Sequence, residues 1–305
     1  MKRLVTIVGP TGIGKSRLAL HLASIFSGEI VSSDSRQVYR YLNIGTAKPT
    51  PEELSRIPHH LIDIINPDEE FSLAQYQKLA FQAINDIHKR HNLPLLVGGS
   101  GLYVKAVLEN WQIPRVLPDA KFRYNIEKVA AGGGVDEIYQ ELMEIDPTAT
   151  RKIDKRNVRR VIRALEVHAG SGKPFSQLGR KRPPKFRSFI IGLTTDRASL
   201  YNIVDHRVDV MFQQGLVAEV ENLLKMGYDL SLPAMSGIGY RQVGQYLNGE
   251  LSLDEAKHRM KMETHRFIRH QYAWFRLKDE KIHWFNAACP DDAEIERAIT
   301  KFMKG

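Results

Sequence analysis

Cysteine is almost absent: Cys289 is the single one among 305 residues. An internal disulfide and a cysteine-based zinc site are thereby excluded. No apolar run approaches the ~20 residues that a membrane-spanning helix needs. The N-terminal stretch MKRLVTIVGP leads straight into a strand pattern rather than a secretory leader. These absences set the expectation of a cytoplasmic protein with no membrane partner. Internal repeats and low-complexity segments are also missing. Acidic side chains are in the minority, 35 against 44 lysines and arginines, for a net charge of +9. Such a balance favours a polyanionic partner, although charge alone is weak evidence.

What is present is ordinary soluble-protein composition, 43% hydrophobic and 26% charged, in a chain long enough for two domains. Its most specific local feature is GPTGIGKS, Gly9 to Ser16, which fits G-x-x-x-x-G-K-[ST]. Apolar residues 4–8 before it read as a buried strand. Lys15 to Phe26 after it carries Leu18, Leu22 and Phe26 at helical spacing. Gly9, Gly12 and Gly14 let the backbone around Thr11 curl so that its N–H groups face an anion. The N-terminus of the next helix adds a favourable dipole. Lys15 supplies a point charge, and the Ser16 hydroxyl suits Mg²⁺. The loop therefore binds a pyrophosphate-like group, without revealing whose.

Residues 1–112 alternate between strand and helix patterns. EIVSSDS (29–35) reads as a second strand ending at Asp34, Phe71 to His88 as a helix capped by Ser72, and PLLVGGSGLY (94–103) as a strand entering a glycine turn. This predicts an α/β fold: a phosphate-loop NTPase-like core with a parallel sheet and flanking helices. Residues 113–187 lack strand alternation and read as an all-helical insertion domain, with GGG at 132–134 as a loop. RSFIIGLTTD (187–196) resumes a strand, so 1–112 and 188–305 together form the core. The C-terminal third is mostly helical, with helices predicted around 198–214, 217–226, 241–247 and 253–276, then a short strand, KIHWF, and a final helix. In parallel sheets ligands sit beyond the carboxyl ends of the strands. The loop, Asp34 and Gly98–Ser100 should therefore converge.

Three other stretches carry chemistry. DSRQVY (34–39) sets a carboxylate at a strand tip, suited to a general base or a Mg²⁺ ligand, and equally to capping a turn. GGSGLY (98–103) offers the Ser100 hydroxyl to a phosphate oxygen, or simply starts a helix. RKIDKRNVRRVIRALEV (151–167) places Arg156, Arg160 and Arg163 on one helix face, with the solvated basic face as the commoner alternative.

These stretches occur in a particular order together with IGTAKP (44–49), HHLID (59–63), RALEV…SGKPFS (163–176), HRVDVMFQQGLVAEV (206–220), GIGYRQ (237–242) and RHQYAWFR (269–276). Along nearly its whole length the chain resembles the tRNA dimethylallyltransferases, or tRNA isopentenyltransferases, of the bacterial type without a C-terminal zinc finger. The resemblance implies transfer of a dimethylallyl group from dimethylallyl diphosphate to N6 of the adenosine at tRNA position 37, beside the anticodon. It implies Asp34 as base, with Ser100 and Arg207 also catalytic. Gly9, Thr11, Gly12, Gly14, Lys15, Ser16, Arg160 and Arg163 would hold the diphosphate, and Ser16 and Asp34 a Mg²⁺ cofactor. Ser35, Gln37, Tyr39, Arg156, Arg159, Gly239, Tyr240, Arg241, Gln242, Arg269 and Gln271 would face tRNA. Gln37 is an apt reader of an adenine edge, since an amide pairs bidentately with adenine. A monomer is expected. Ser100 stands where relatives usually have threonine, KIDKRN (152–157) replaces the common R-I-H-P-N-D, and Ile203 occupies the place of a second arginine. For Trp274 and Phe275 core packing is the favoured reading. Three rivals stand beside this: a phosphate-loop kinase or ATPase, a prenyltransferase acting on free AMP or ATP, and a non-catalytic RNA-binding protein.

Overall fold

The structure is a computed structural model and describes residues 2–114, 116, 118–178, 181–288 and 291–305. The single cysteine, Cys289, lies outside them, as do Gly179 and Arg180. The chain divides into two compact units, Met1–Leu108 with Lys185–Gly305, and Glu109–Pro184.

The first unit is built on six parallel strands, β1 (Arg3–Val8), β2 (Gly28–Ser32), β3 (His59–His60), β4 (Leu93–Val97), β5 (Arg187–Thr194) and β6 (Ile282–Asn286), in the order β3-β2-β4-β1-β5-β6. The helices that cross between them are α1 (Lys15–Ile25), α2 (Pro51–Arg56), α3 (Leu73–Lys89) and α4 (Gly101–Leu108). Strand period explains the layering. Val5 and Ile7 of β1 face one cluster with Leu18 and Leu22 of α1, while Leu4 and Val8 face the other with Tyr76, Ala80 and Ile84 of α3. Being covered on both faces, these strands read as continuous apolar runs rather than alternation. At the start of β2 the buried Glu29 accepts hydrogen bonds from Arg90, Asn92 and His60. Arg90 above all holds its carboxyl down at about 2.

The second unit contains α5 (Ala120–Ala131), α6 (Val135–Ile145), α7 (Pro147–Thr150), α8 (Val158–Ser171) and α9 (Phe175–Leu178) around Ile138, Leu142, Val161, Ala164 and Leu165. Its boundaries fall a few residues before the sequence-based ones because its legs tie to one another. Asn110 Nδ2 donates to the Pro183 carbonyl at 2.8 Å, and Trp111 bridges to Lys181. The remaining helices, α10 (Arg197–Gln213), α11 (Leu216–Lys225), α12 (Tyr240–Leu247), α13 (Leu253–Trp274) and α14 (Asp292–Lys304), belong to the first unit. No helix among the described residues is long and apolar enough to cross a membrane.

Two expectations need adjusting. β2 stops at Ser32, so Asp34 sits two residues past the strand in a turn. The two-residue edge strand β3 and the short α2 carry no clear periodic signal and are not anticipated by the sequence reading.

Candidate active site

The strand order explains why three separated sequences meet. β2, β4 and β1 are neighbours, and each runs parallel into one of the three turns. With strands about 4.8 Å apart, the loop after β1 and the turns after β4 and β2 lie side by side at one sheet end. Glycine makes the first of these possible. Gly9 has φ 146°, and a side chain there would meet the Leu193 carbonyl oxygen at 2.6 Å.

The loop then enters α1 without a side-chain cap. Gly14 is the N-cap, in the left-handed region, and no side chain accepts from the first turn. α2, α3 and α13 instead carry complete capping boxes, at Thr50–Glu53, Ser72–Gln75 and Ser252–Glu255. The donors left open at the start of α1 suit an anion.

Two cations accompany them. Lys15 Nζ donates to the Pro10 carbonyl at 2.7 Å, and Arg207 of α10 donates to the Thr11 hydroxyl at 3.3 Å. Among the described residues neither forms a salt bridge. Burial pushes Lys15 down to about 7, the Arg207 charge adds to this, and Asp34 opposes it. Burial likewise lowers Arg207, again against Asp34. Two half-buried cations thus stand here with no carboxylate contact among the described residues, an arrangement suited to an anion.

Asp34 does two things at once. Its Oδ1 accepts from the backbone of Arg36 at 2.8 Å and Gln37 at 3.3 Å, which is the turn-capping role. No described residue donates to Oδ2, so one oxygen is left to take a proton or contact a metal. The Ser35 N–H donates to Ser100 Oγ at 3.3 Å, tying the β4 turn to the Asp34 turn. Ser16 is exposed at the start of α1. Serine hydroxyl and carboxylate oxygen are the hard donors that Mg²⁺ takes, with water and phosphate completing its shell, so these residues fit that ion. No cluster of three or more His, Cys, Asp or Glu occurs among the described residues.

Several expected RNA contacts are placed elsewhere. Tyr39, Tyr240, Gln242 and Gln271 have buried side chains. Tyr240 packs in the cluster with Tyr39 and donates to Glu219 at 2.6 Å. Gln242 caps its own helix at Gly239 and donates to Glu263, which also pairs with Arg241. Gln37 spends its amide on Thr46 and Ala47 carbonyls and the Ser32 hydroxyl. Arg269 is exposed and donates to Tyr201. Trp274 is 38% exposed, against the core reading, and lies over Gly101, while Phe275 is buried as expected.

The arginines of the second unit separate in the same way. Arg156 precedes α8 and pairs with Asp154, so it does not share the helix face of Arg160 and Arg163. Arg159 and Arg160 are exposed. Arg163, expected on the diphosphate, donates to the buried Glu166 at 2.5 Å and to the Val116 carbonyl at 2.9 Å. Arg123 holds the same carboxylate.

Sequence reasoning missed Lys48 and Glu219. The Glu219 carboxylate accepts from the backbone of Asn43, Ile44 and Gly45, and the nearly buried Lys48 donates to Tyr39 and Asn43 and pairs with Asp63. They lock the loop on which Gln37 rests. The lysine inside the otherwise small and apolar IGTAKP was the available signal.

The fold and these loops define a phosphate-loop protein whose site pairs an open anion cradle with a carboxylate. The family described as IPP transferase matches residues 37–278. A tRNA dimethylallyltransferase of Dehalococcoides mccartyi is 51% identical over 300 residues, 98% of this chain and 92% of that protein. One from Roseiflexus castenholzii is 52% identical over 298 residues, covering 98% and 97%. Among solved structures, the full-length tRNA isopentenylpyrophosphate transferase of Bacillus halodurans aligns with a TM-score of 0.73 at 39% identity, over 100% of this chain and 96% of that one. A eukaryotic dimethylallyltransferase acting on tRNA aligns at 0.82 with 26% identity, over 100% and 80%. This chain belongs to the IPP transferase family.

Proposed function

We propose that the protein is a tRNA dimethylallyltransferase that joins a dimethylallyl group to N6 of the adenosine beside the anticodon, releasing diphosphate. The observation that carries this reading is the pair of cations at the phosphate loop, Lys15 and Arg207 of α10, which form no salt bridge among the described residues and neighbour a carboxylate with one open oxygen. An allylic diphosphate ionises readily, because its cation is delocalised. The barrier lies in the charge that grows on the departing oxygens. Loop N–H groups, Lys15 and Arg207 meet that charge in a preorganised site. As the N6–carbon bond forms and the carbon–oxygen bond breaks, the amine loses a proton to Asp34. Ser100 would hydrogen-bond either partner. Ser16 and Asp34 would hold Mg²⁺, which when bound supplies further charge neutralisation at the diphosphate.

The acceptor's adenine must leave its stack to reach Asp34, which loop nucleotides allow. Exposed Arg159, Arg160 and Arg269 suit phosphate contacts that give affinity without sequence reading. The test is incubation with Mg²⁺, radiolabelled dimethylallyl diphosphate and unmodified tRNA, with AMP and ATP as competing acceptors. Label on the adenosine beside the anticodon is expected. Label in AMP or ATP, or ATP consumption without label transfer, would overturn the reading.

A further inference from the structure

Gln271 reaches from α13 into the gap between the two turns that the reaction uses. Its Oε1 accepts from the Thr11 N–H of the phosphate loop at 2.8 Å, and its Nε2 donates to the Gly99 carbonyl of the β4 turn at 3.2 Å. The side chain is 3% exposed. Only one orientation of the amide satisfies a donor on one side and an acceptor on the other, so its direction is fixed. Gly99 is shaped to it: a side chain there would lie 2.0 Å from Nε2. The φ of Gly99 is outside the left-handed region, so space rather than backbone conformation demands the glycine.

The contacts run on from both ends. Thr11 also receives Arg207, and Ser100, next to Gly99, receives the Ser35 N–H beside Asp34. We propose that Gln271 is a positioning residue, a strut that sets the separation between the leaving-group loop and the base-bearing turn. The inference rests on the transferase reading above. It replaces the expectation that Gln271 faces RNA.

The strut takes the Thr11 N–H of the loop but touches neither Lys15, Arg207 nor Asp34. Its loss therefore leaves donor binding to Lys15 and Arg207 and misaligns the reacting atoms. Gln271→Met keeps length and volume but removes both hydrogen bonds. Its kcat should fall about 10- to 100-fold, since displacements near 1 Å cost that much. KM for dimethylallyl diphosphate should stay within about threefold, the split expected when only transition-state geometry suffers. Gly99→Ala, which evicts the amide, should give the same pattern. The double variant should be no worse than the poorer single, because both break one contact. Gln271→Glu, which keeps the acceptor for Thr11 and loses the donor to Gly99, provides a third readout should either of the others fold poorly. It too should lose kcat.

The proposal is overturned if kcat per folded active site matches the parent protein in these variants, if only KM moves, or if the Gly99 and Gln271 effects multiply. Should the parent protein fail to label tRNA, the functional reading falls instead, and the two failures are distinct.

Discussion

The two units of this protein treat positive charge in opposite ways. In the first, the half-buried Lys15 and Arg207 bond, among the described residues, to a carbonyl and a hydroxyl and to no carboxylate, and burial lowers the pKa of both. In the second, Arg123 and Arg163 close on the buried Glu166. Burial alone would raise the Glu166 carboxyl, but the hydrogen bonds from the two arginines outweigh it and hold the group below its usual range. A cation that already has its carboxylate stabilises a fold, whereas one left without a carboxylate inside a fold waits for an anion. Identical side chains thus have different meanings, and the partner decides which.

The sharpest way to break this contrast is at the base. Asp34→Asn keeps an oxygen for the Arg36 and Gln37 N–H groups, so the turn should persist while proton transfer is lost. Transfer to tRNA should fall about 10³-fold, within the range for a general base, and donor affinity should hold. A variant that unfolds instead would mean that the capping role dominates.

Next come the cations. Lys15→Met and Arg207→Leu should each slow transfer by about 10²-fold or more, the cost of removing one donor from a charge-stabilising site. Neither should lower the melting temperature, and Lys15→Met should raise it near neutral pH by removing a desolvated charge. A clear fall in both melting temperatures would make these residues structural.

The second unit should answer in reverse. Arg163→Ala should destabilise it by about 2 kcal/mol, the order of a lost hydrogen bond to a charged group, with little change in donor KM. The sign with pH follows from the depressed Glu166 carboxyl. Its contribution is complete above the ordinary carboxylate range and fades as acid protonates it. The smallest effect belongs to exposed Arg160, where Arg160→Ala should shift stability by under about 0.5 kcal/mol. Any change should appear in tRNA affinity and its salt dependence. Thermal melts with steady-state kinetics separate the two arginines.

Much of this was legible in the sequence. The phosphate loop, the convergence of Asp34 and Ser100, and the helical insertion all follow from local pattern plus the rule that parallel strands present ligands at their carboxyl ends. What resisted was the direction of individual side chains. Arg160 and Arg163 stand three residues apart in one basic run, yet one is exposed and the other clamps Glu166, because only the second turns toward Glu166 and the Val116 carbonyl. Gln271 sits among exposed Arg269, His270 and Trp274 and points the other way. Helical period identifies a face, but which neighbour that face meets is a property of tertiary packing. Lys48 escaped notice for the same reason: its partners Asn43 and Asp63 come together only when the loop closes.

The central claim is that the Gly9–Ser16 loop and its two cations hold a prenyl diphosphate rather than ATP. Calorimetric titration at pH 8, in buffers of different ionisation enthalpy, tests it most directly. Burial pulls Lys15 down to about 7, so it loses protons toward pH 8, and a diphosphate bound beside it favours the charged form. Dimethylallyl diphosphate should bind more tightly than ATP, with net proton uptake that Lys15→Met loses. Tighter binding of ATP than of dimethylallyl diphosphate would contradict it.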